Sequence, residues 1–223
     1  MCLILLAWRV HPEFPLIVAA NRDEFHARPA ARAAFWSDQP SILAGRDLEA
    51  RGTWMGVSRD GRFAAVTNYR GATEPRAAES RGALVTRFLQ GSEPAAAYVA
   101  SVARTSAAYS GFNLLAADGE SLWWMSNRGG VPRSLEPGVR GLGNALLDSP
   151  EVGEAKSQFA AGVGAPAVDS LFEILAARRI VNARYGTRCS TVLRKGLDGL
   201  RYAERSFLPD GEQQETVQFE LPG

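Results

Sequence analysis

The chain has 223 residues, of which 46% are hydrophobic, and its 25 basic and 24 acidic side chains give a net charge of +1. This length and apolar content are typical of a globular protein with a sizeable core, and we predict a single domain over residues 1–223. The balanced charge excludes the basic surface of a nucleic-acid-binding protein and gives no attraction to an anionic membrane.

We do not expect the N-terminal apolar run to be a targeting signal. Trp8 and Arg9 interrupt it early, and it has neither a basic leading region nor a small-residue cleavage site. Two cysteines provide no disulfide framework. We therefore expect a cytoplasmic protein without stable membrane insertion. No pair of cysteines or histidines has metal-ligand spacing, so we expect no metal and no resident cofactor.

Turn residues divide much of the chain into hairpins. The prolines of HPEFP, residues 11–15, separate the first two apolar runs, and Asp-Gly dipeptides separate the later pairs, the first of them at Asp60. The predicted strands are 3–10, 16–21, 53–58, 63–69, 111–117, 121–127, 190–195 and 200–207. Residues 25–52 have little periodic pattern and are predicted to form a long loop, which in a compact domain is usually functional.

Apolar residues at three- and four-residue spacing predict four helices between the strands. The helices are 80–89, 94–108, 154–159 and 168–178. Hairpins with helices grouped between them predict an α+β layered fold, in which two mainly antiparallel sheets lie face to face with helices outside.

Cys2 is a candidate nucleophile because of its position. A second-position cysteine is small enough for Met1 to be removed, which leaves a thiol and an α-amine on one residue. The amine titrates at about 7.7 to 8.0 and can accept the thiol proton. The alternative interpretation is a small apolar residue at the start of a strand.

A polar cluster, NRDE at residues 21–24, follows the second predicted strand. If the first hairpin is close to symmetric about HPEFP, the cluster lies beside Cys2. Arg22 would then lower the pKa of the thiol, and Asp23 would hold the α-ammonium or the arginine. Strand alternation directs Arg22 and Asp23 to opposite faces, so both reach Cys2 only if the strand ends or bulges there. A solvated loop is the alternative.

Several short motifs occur in order from residue 1 to about residue 207: MC, NRDEF, GTWMGV, TNYRG, SRGALV, GFNLL, GLGNALLDSP and YGTRCSTVL. In these motifs the chain resembles the NRDE family, also called the transport and Golgi organisation protein 2 family. That family is similar to N-terminal nucleophile hydrolases of the penicillin V acylase and bile salt hydrolase kind. The resemblance implies a four-layer αββα sandwich, and animal members are linked to haem trafficking, lipid metabolism and secretory-pathway organisation.

The resemblance also implies roles for individual residues. Cys2 matches the nucleophile, and Arg22 and Asp23 match the arginine and aspartate that flank it, with Glu24 as an alternative to Asp23. Asn144 resembles the asparagine whose amide helps to form the oxyanion hole.

Further candidates have supporting roles. Arg188 resembles a second arginine near the site. We predict substrate contacts for Asn68, Asn21, Glu24 and Trp36, with Trp36 in the long loop forming an apolar wall of a pocket over the thiol.

Two classes of function follow from these residues. In the first, Cys2 attacks a small acyl amide and forms a thioester, which makes the protein an amidohydrolase for C–N bonds other than peptides. In the second, the fold binds and carries haem or a lipid without catalysis, with Cys2, His11, His26, Cys189 and the methionines as the candidate axial ligands for haem.

Overall fold

The computed structural model describes residues 2–71, 77–129 and 131–223. Within them the chain forms strands β1 (Leu3–Trp8), β2 (Leu16–Phe25), β3 (Ala30–Trp36), β4 (Gln39–Asp47), β5 (Met55–Ser58), β6 (Phe63–Asn68), β7 (Phe112–Ala117), β8 (Leu122–Ser126), β9 (Arg133–Ser134), β10 (Gly138–Leu142), β11 (Tyr185–Lys195), β12 (Gly199–Phe207) and β13 (Gln213–Pro222). The α-helices are α1 (Arg81–Gln90), α2 (Ala95–Thr105), α3 (Gly153–Gly162) and α4 (Val168–Ala176).

The chain divides into two compact units. The first unit holds the described residues up to Arg28, together with Pro137–Gly143 and Leu147–Gly223. The second unit holds the described residues of Pro29–Glu136, together with Asn144–Leu146. Our expectation of a single domain stays a prediction.

The first unit is an antiparallel sheet in the order β10-β1-β2-β11-β12-β13, with two helices packed on it. Helix α3 packs against β1 and β10, and α4 packs against β2 and β11. Leu171 and Leu175 are one helical turn apart, so they lie on the same face of α4 and are buried against the sheet. Phe159 of α3 joins them in one core.

The second unit is an antiparallel sheet in the order β3-β4-β5-β6-β7-β8-β9. Helix α1 packs across β4, β5, β6 and β7, and α2 packs against β7 and β8. Leu84 and Phe88 of α1 meet Phe112 and Leu114 of β7 in a second core. The prediction of an α+β fold with two mainly antiparallel sheets and four helices is confirmed.

Several predicted boundaries and segments are wrong, and two of them bear on the NRDE cluster and the segment after it. Strand β2 does not end at residue 21 but continues through the NRDE cluster to Phe25, because β11 pairs with it as far as Tyr185. Residues 30–47 are not a loop but the hairpin of β3 and β4. The sequence AARAAFW of β3 is rich in alanine, which has low β-propensity and gives no clear alternation.

No helix formed by the described residues is both long and apolar enough to cross a bilayer.

Candidate active site

Cys2 lies at the open end of the β1–β2 hairpin. Pairing of the two strands sets Leu3 opposite Asn21, so Cys2 continues the register towards Arg22. The thiol is half-buried, and its Sγ donates a hydrogen bond to the backbone carbonyl oxygen of Asp23 at 3.4 Å. The near-symmetric hairpin therefore brings the thiol to the NRDE cluster.

Arg22 lies opposite Cys189 of β11 and is 6% exposed. Directly opposite residues of an antiparallel pair share a sheet face, and so do residues two apart on one strand. Glu24 is on the same face, and its Oε2 lies 3.8 Å from Nη2 of Arg22. The charge of the guanidinium is thus held beside a partly buried carboxylate, which supports Glu24 as the ionic partner of Arg22.

The carboxylate of Asp23 is directed to the other face of the sheet. Its Oδ1 accepts a hydrogen bond from Thr187 Oγ1 at 2.6 Å, and the same hydroxyl accepts from the amide of Ile180 at 2.9 Å. Asp23 thus meets the thiol of Cys2 through its backbone carbonyl. The opposite-face geometry expected from strand alternation is present, and the bulge lies in β11, between Thr187 and Cys189, rather than in β2.

Arg188 is the extra residue of that bulge. Its Nη1 donates to the carbonyl oxygens of Phe25, His26 and Arg28 at 3.1, 3.3 and 3.0 Å. Burial lowers the pKa of its guanidinium, and the nearby charge of Arg22 acts in the same direction. Arg188 therefore holds the turn at the end of the strand that carries Arg22.

The amide of Asn21 is occupied within the first unit. Its Nδ2 donates to the carbonyl of Leu175 in α4 at 3.0 Å, and its Oδ1 accepts from Ser190 Oγ at 2.6 Å. The residue is 2% exposed. These contacts fix α4 to the sheet, and the predicted contact of Asn21 with substrate stays a prediction.

The protonation of Cys2 is governed by its surroundings. Burial raises the pKa of the thiol, and the negative charge of Asp23 acts in the same direction, whereas Arg22 acts against it. A backbone hydrogen bond at Asp23 lowers the pKa, but the effect of burial is larger. The thiol is therefore protonated at neutral pH and needs a base before it can attack an acyl carbon.

Asn68 and Asn144 lie together in the second unit. Nδ2 of Asn144 donates to the backbone carbonyl of Asn68 at 2.8 Å, and the Asn144 carbonyl accepts from the amide of Arg70 at 2.6 Å. The two contacts fix the amide of Asn144 at the end of β6. The other candidates, Cys2, Arg22, Asp23, Glu24 and Arg188, are grouped in the first unit.

Trp36 is part of the core of the second unit. It is 4% exposed, and its Nε1 donates to the carbonyl of Ala44 at 3.0 Å. Because residues 30–47 form a hairpin, the basis for an apolar loop over the thiol is lost, and Trp36 stabilises the hairpin instead.

Tyr185 was not among the residues predicted from sequence. Its hydroxyl donates to the same Asp23 carbonyl oxygen as Cys2, at 3.3 Å, and its ring meets that of Phe25 edge to face at 5.2 Å. The available signal was its place at the start of the YGTRCSTVL motif, which shares a strand with Arg188.

The match to a family model covers residues 1–181 and is to Transport and Golgi organisation 2. The chain belongs to this family. It is 41% identical over 163 residues to the Transport and Golgi organization protein 2 homologs of Bos taurus and Homo sapiens, covering 67% of this chain and 59% of each relative. The Drosophila melanogaster protein is 31% identical over 189 residues, covering 74% of this chain and 66% of the relative. The chain thus spans less than two thirds of the length of the mammalian relatives.

A solved structure shares the fold. The Caenorhabditis elegans N-acylethanolamine-hydrolyzing acid amidase ortholog matches with a TM-score of 0.53, over 86% of this chain and 92% of its own, at 11% sequence identity. The family member described here therefore shares its fold with this amidase ortholog.

Proposed function

We propose that the chain is an amidohydrolase that uses Cys2 as an N-terminal nucleophile on a small acyl amide. The observation that carries the proposal is the position of the Cys2 thiol. It lies at an open hairpin end, half-buried, hydrogen-bonded to Asp23 and opposite the strand position of the buried cation Arg22. The structural likeness to an N-acylethanolamine-hydrolyzing acid amidase ortholog supports an amide as the bond cleaved.

The proposed reaction begins when Met1, which lies outside the described residues, is removed. The α-amine of Cys2 then takes the thiol proton, and the thiolate forms a C–S bond to the acyl carbon. When the tetrahedral intermediate collapses, the C–N bond breaks and the leaving amine takes the proton from the α-ammonium. Water then attacks the thioester, which releases the carboxylic acid and returns the proton to the thiol.

Three further side chains have proposed parts in this reaction. Arg22 favours the thiolate by its positive charge, and Glu24 keeps the guanidinium in place. Asn144 is proposed as an oxyanion donor on the resemblance to N-terminal nucleophile hydrolases. Such a donor contributes roughly 3 kcal/mol to an acyl-transfer transition state.

Intact mass spectrometry tests the proposal directly. We expect the freshly purified protein to lack the mass of Met1 and, after incubation with a panel of acyl amides and activated acyl esters, to gain one acyl group. Cys2→Ala should gain none. Cys189→Ala is the matched control, since it removes the other, buried thiol and should still be acylated. A protein that retains Met1 and forms no adduct would end the amidohydrolase proposal.

Carriage of haem or a lipid is the alternative function on the same fold. A titration with haem separates it from catalysis: a Soret shift without acylation favours carriage, whereas acylation at Cys2 without a Soret shift favours the hydrolase.

A further inference from the structure

A pocket lies in the first unit, at the end of the sheet opposite to Cys2. Its volume is about 660 Å³, which is within the range of sites that bind small molecules. The turn before β2, the turn between β11 and β12 and the end of β13 line it. Strands β1 and β2 pair over six residues, so about 20 Å of hairpin separates this turn from the thiol. The pocket is therefore separate from the nucleophile.

Arg194 brings a half-buried cation into this pocket. Its Cζ lies 5.2 Å from the centroid of the Phe14 ring, and its Nη1 donates to the carbonyl oxygen of Pro166 at 2.9 Å. Nε is buried and has no hydrogen-bond partner among the described residues. Within the same residues no carboxylate forms an ion pair with Arg194. A partly buried cation without a counter-charge costs stability.

A second cation directly opposite adds to this cost. The strand register sets Arg194 of β11 opposite Arg201 of β12. Directly opposite side chains share a sheet face with Cβ atoms about 5 Å apart, and like charges at that distance repel. Burial lowers the pKa of Arg194, and the charge of Arg201 acts in the same direction. The fold thus keeps an arginine pair that is unfavourable by itself.

Three carboxylates also line the pocket. Glu220 of β13 compensates Arg201, with its Oε1 3.2 Å from Nε of the arginine. Glu13 and Asp198 are exposed on the two turns, where water and salt screen their charges. The charge beside the ring of Phe14 is therefore that of Arg194.

We propose that this pocket binds a small organic anion, whose carboxylate or phosphate group pairs with Arg194 and whose apolar part packs on Phe14. A guanidinium binds either group through charge-assisted hydrogen bonds. The bound negative charge would offset the repulsion between Arg194 and Arg201. The inference goes beyond the proposed reaction, because the pocket binds its ligand whether or not Cys2 is a nucleophile.

Isothermal titration calorimetry with 4-phenylbutyrate and phenyl phosphate tests the inference. The uncharged 4-phenyl-1-butanol has the same apolar part as 4-phenylbutyrate. We expect it to bind about ten- to a hundredfold more weakly, the factor that corresponds to one hydrogen bond to a charged group. Arg194→Gln should weaken binding of the anion by a similar factor. Binding of either anion supports the inference and shows which oxyanion is taken, whereas binding of neither overturns it.

Arg59→Gln is the matched control. Arg59 also lies over a phenyl ring, with its Cζ 3.9 Å from the centroid of Phe35, and its Nε donates to the carbonyl oxygen of Pro40 at 2.9 Å. It belongs to the second unit, so its loss should leave the affinity for the anion unchanged. Equal affinities of the wild type and Arg194→Gln would overturn the inference.

Phe14→Ala is a second variant, in case Arg194→Gln does not fold. Phe14 lies in a turn outside the strands, and loss of its ring should weaken binding of the same anion. Binding that Phe14→Ala leaves unchanged would contradict the proposed packing of the apolar part.

The candidate active site is excluded as the binding site by blocking its thiol. Protein alkylated at Cys2 with iodoacetamide, with the modified cysteine identified by peptide mass, should bind 4-phenylbutyrate with wild-type affinity. Binding that is lost on alkylation but kept in Arg194→Gln would assign the anion to the candidate active site and overturn the inference. Neither result depends on cleavage of an acyl amide, so failure of the proposed function is measured separately.

Discussion

The two thiols lie on the same sheet but in different surroundings. Cys2 is half-buried at a strand end, whereas Cys189 is 4% exposed in the middle of β11. Burial raises the pKa of Cys189 well above its ordinary value, and the buried carboxylate of Glu204 acts in the same direction. Because of their positions in the sheet, the thiol of Cys2 is accessible to reagents, whereas that of Cys189 is buried and stays protonated.

This difference predicts how stability depends on pH. Because the folded pKa of Cys189 is raised, its contribution to stability is complete below the unfolded value near 9.0 and is lost as pH rises above it. The free energy of unfolding should therefore fall more steeply between pH 9 and 10 in the wild type than in Cys189→Ala. Urea unfolding at a series of pH values measures both slopes.

The comparison of the two slopes is limited to pH values below 10, because above pH 10 tyrosines also affect the free energy of unfolding. Burial raises the pKa of Tyr98 and of Tyr202 above their ordinary value of 10.0, so both also reduce stability at higher pH. Equal slopes for the wild type and Cys189→Ala below pH 10 would contradict the assignment of the loss to Cys189.

Strand β11 is the element that builds the candidate site. It pairs with β2 along the whole NRDE cluster, and its bulge gives Arg188 access to the turn after β2. Gly186 lies just before this bulge, where a Cβ would come within 2.7 Å of the Ile180 carbonyl oxygen and 3.1 Å of His26 Nε2. The close approach of the two backbone segments requires glycine there.

Gly186→Ala should therefore displace β11 from the segment that precedes it. We expect a loss of about 1–3 kcal/mol in the free energy of unfolding, the usual cost of an added methyl group in a tightly packed place. Gly164→Ala is the control in the same unit, since a Cβ there meets nothing within 4 Å and should leave stability nearly unchanged. Urea denaturation compares them, and equal effects would argue against a steric role for Gly186.

Each of the two units has a core of its own. Phe159 is fully buried between α3 and the first sheet, and Phe88 is 1% exposed between α1 and the second sheet. Truncation of a buried phenylalanine to alanine costs about 3–5 kcal/mol. The cores therefore provide one probe of stability in each unit.

These probes test the single-domain prediction. If residues 1–223 form one cooperative domain, Phe88→Ala and Phe159→Ala should each lower the midpoint of a single urea transition. Leu197→Ala, at a position 82% exposed, should change the midpoint little. Two separate transitions, each sensitive to only one of the phenylalanine variants, would show that the units unfold independently.

Local sequence patterns determined the α+β class, four helices and most of the hairpins. Apolar periodicity, Asp-Gly turns and the prolines of HPEFP act over a few residues, so their consequences can be predicted without knowing the rest of the chain. The same local symmetry placed Cys2 beside NRDE, and pairing of Leu3 with Asn21 agrees with it.

Only the tertiary structure determined which contacts the residues of the NRDE cluster make. Tyr185, Thr187 and Arg188 reach β2 from about 160 residues further along the chain, a separation over which periodicity carries no information. Their pairing extends β2 to Phe25 and holds the Asp23 carboxylate at Thr187, while the Asp23 carbonyl accepts from the thiol. Burial of Trp36 likewise depends on α1 and β4, because packing between distant segments, rather than local propensity, fixes which side chains leave the solvent.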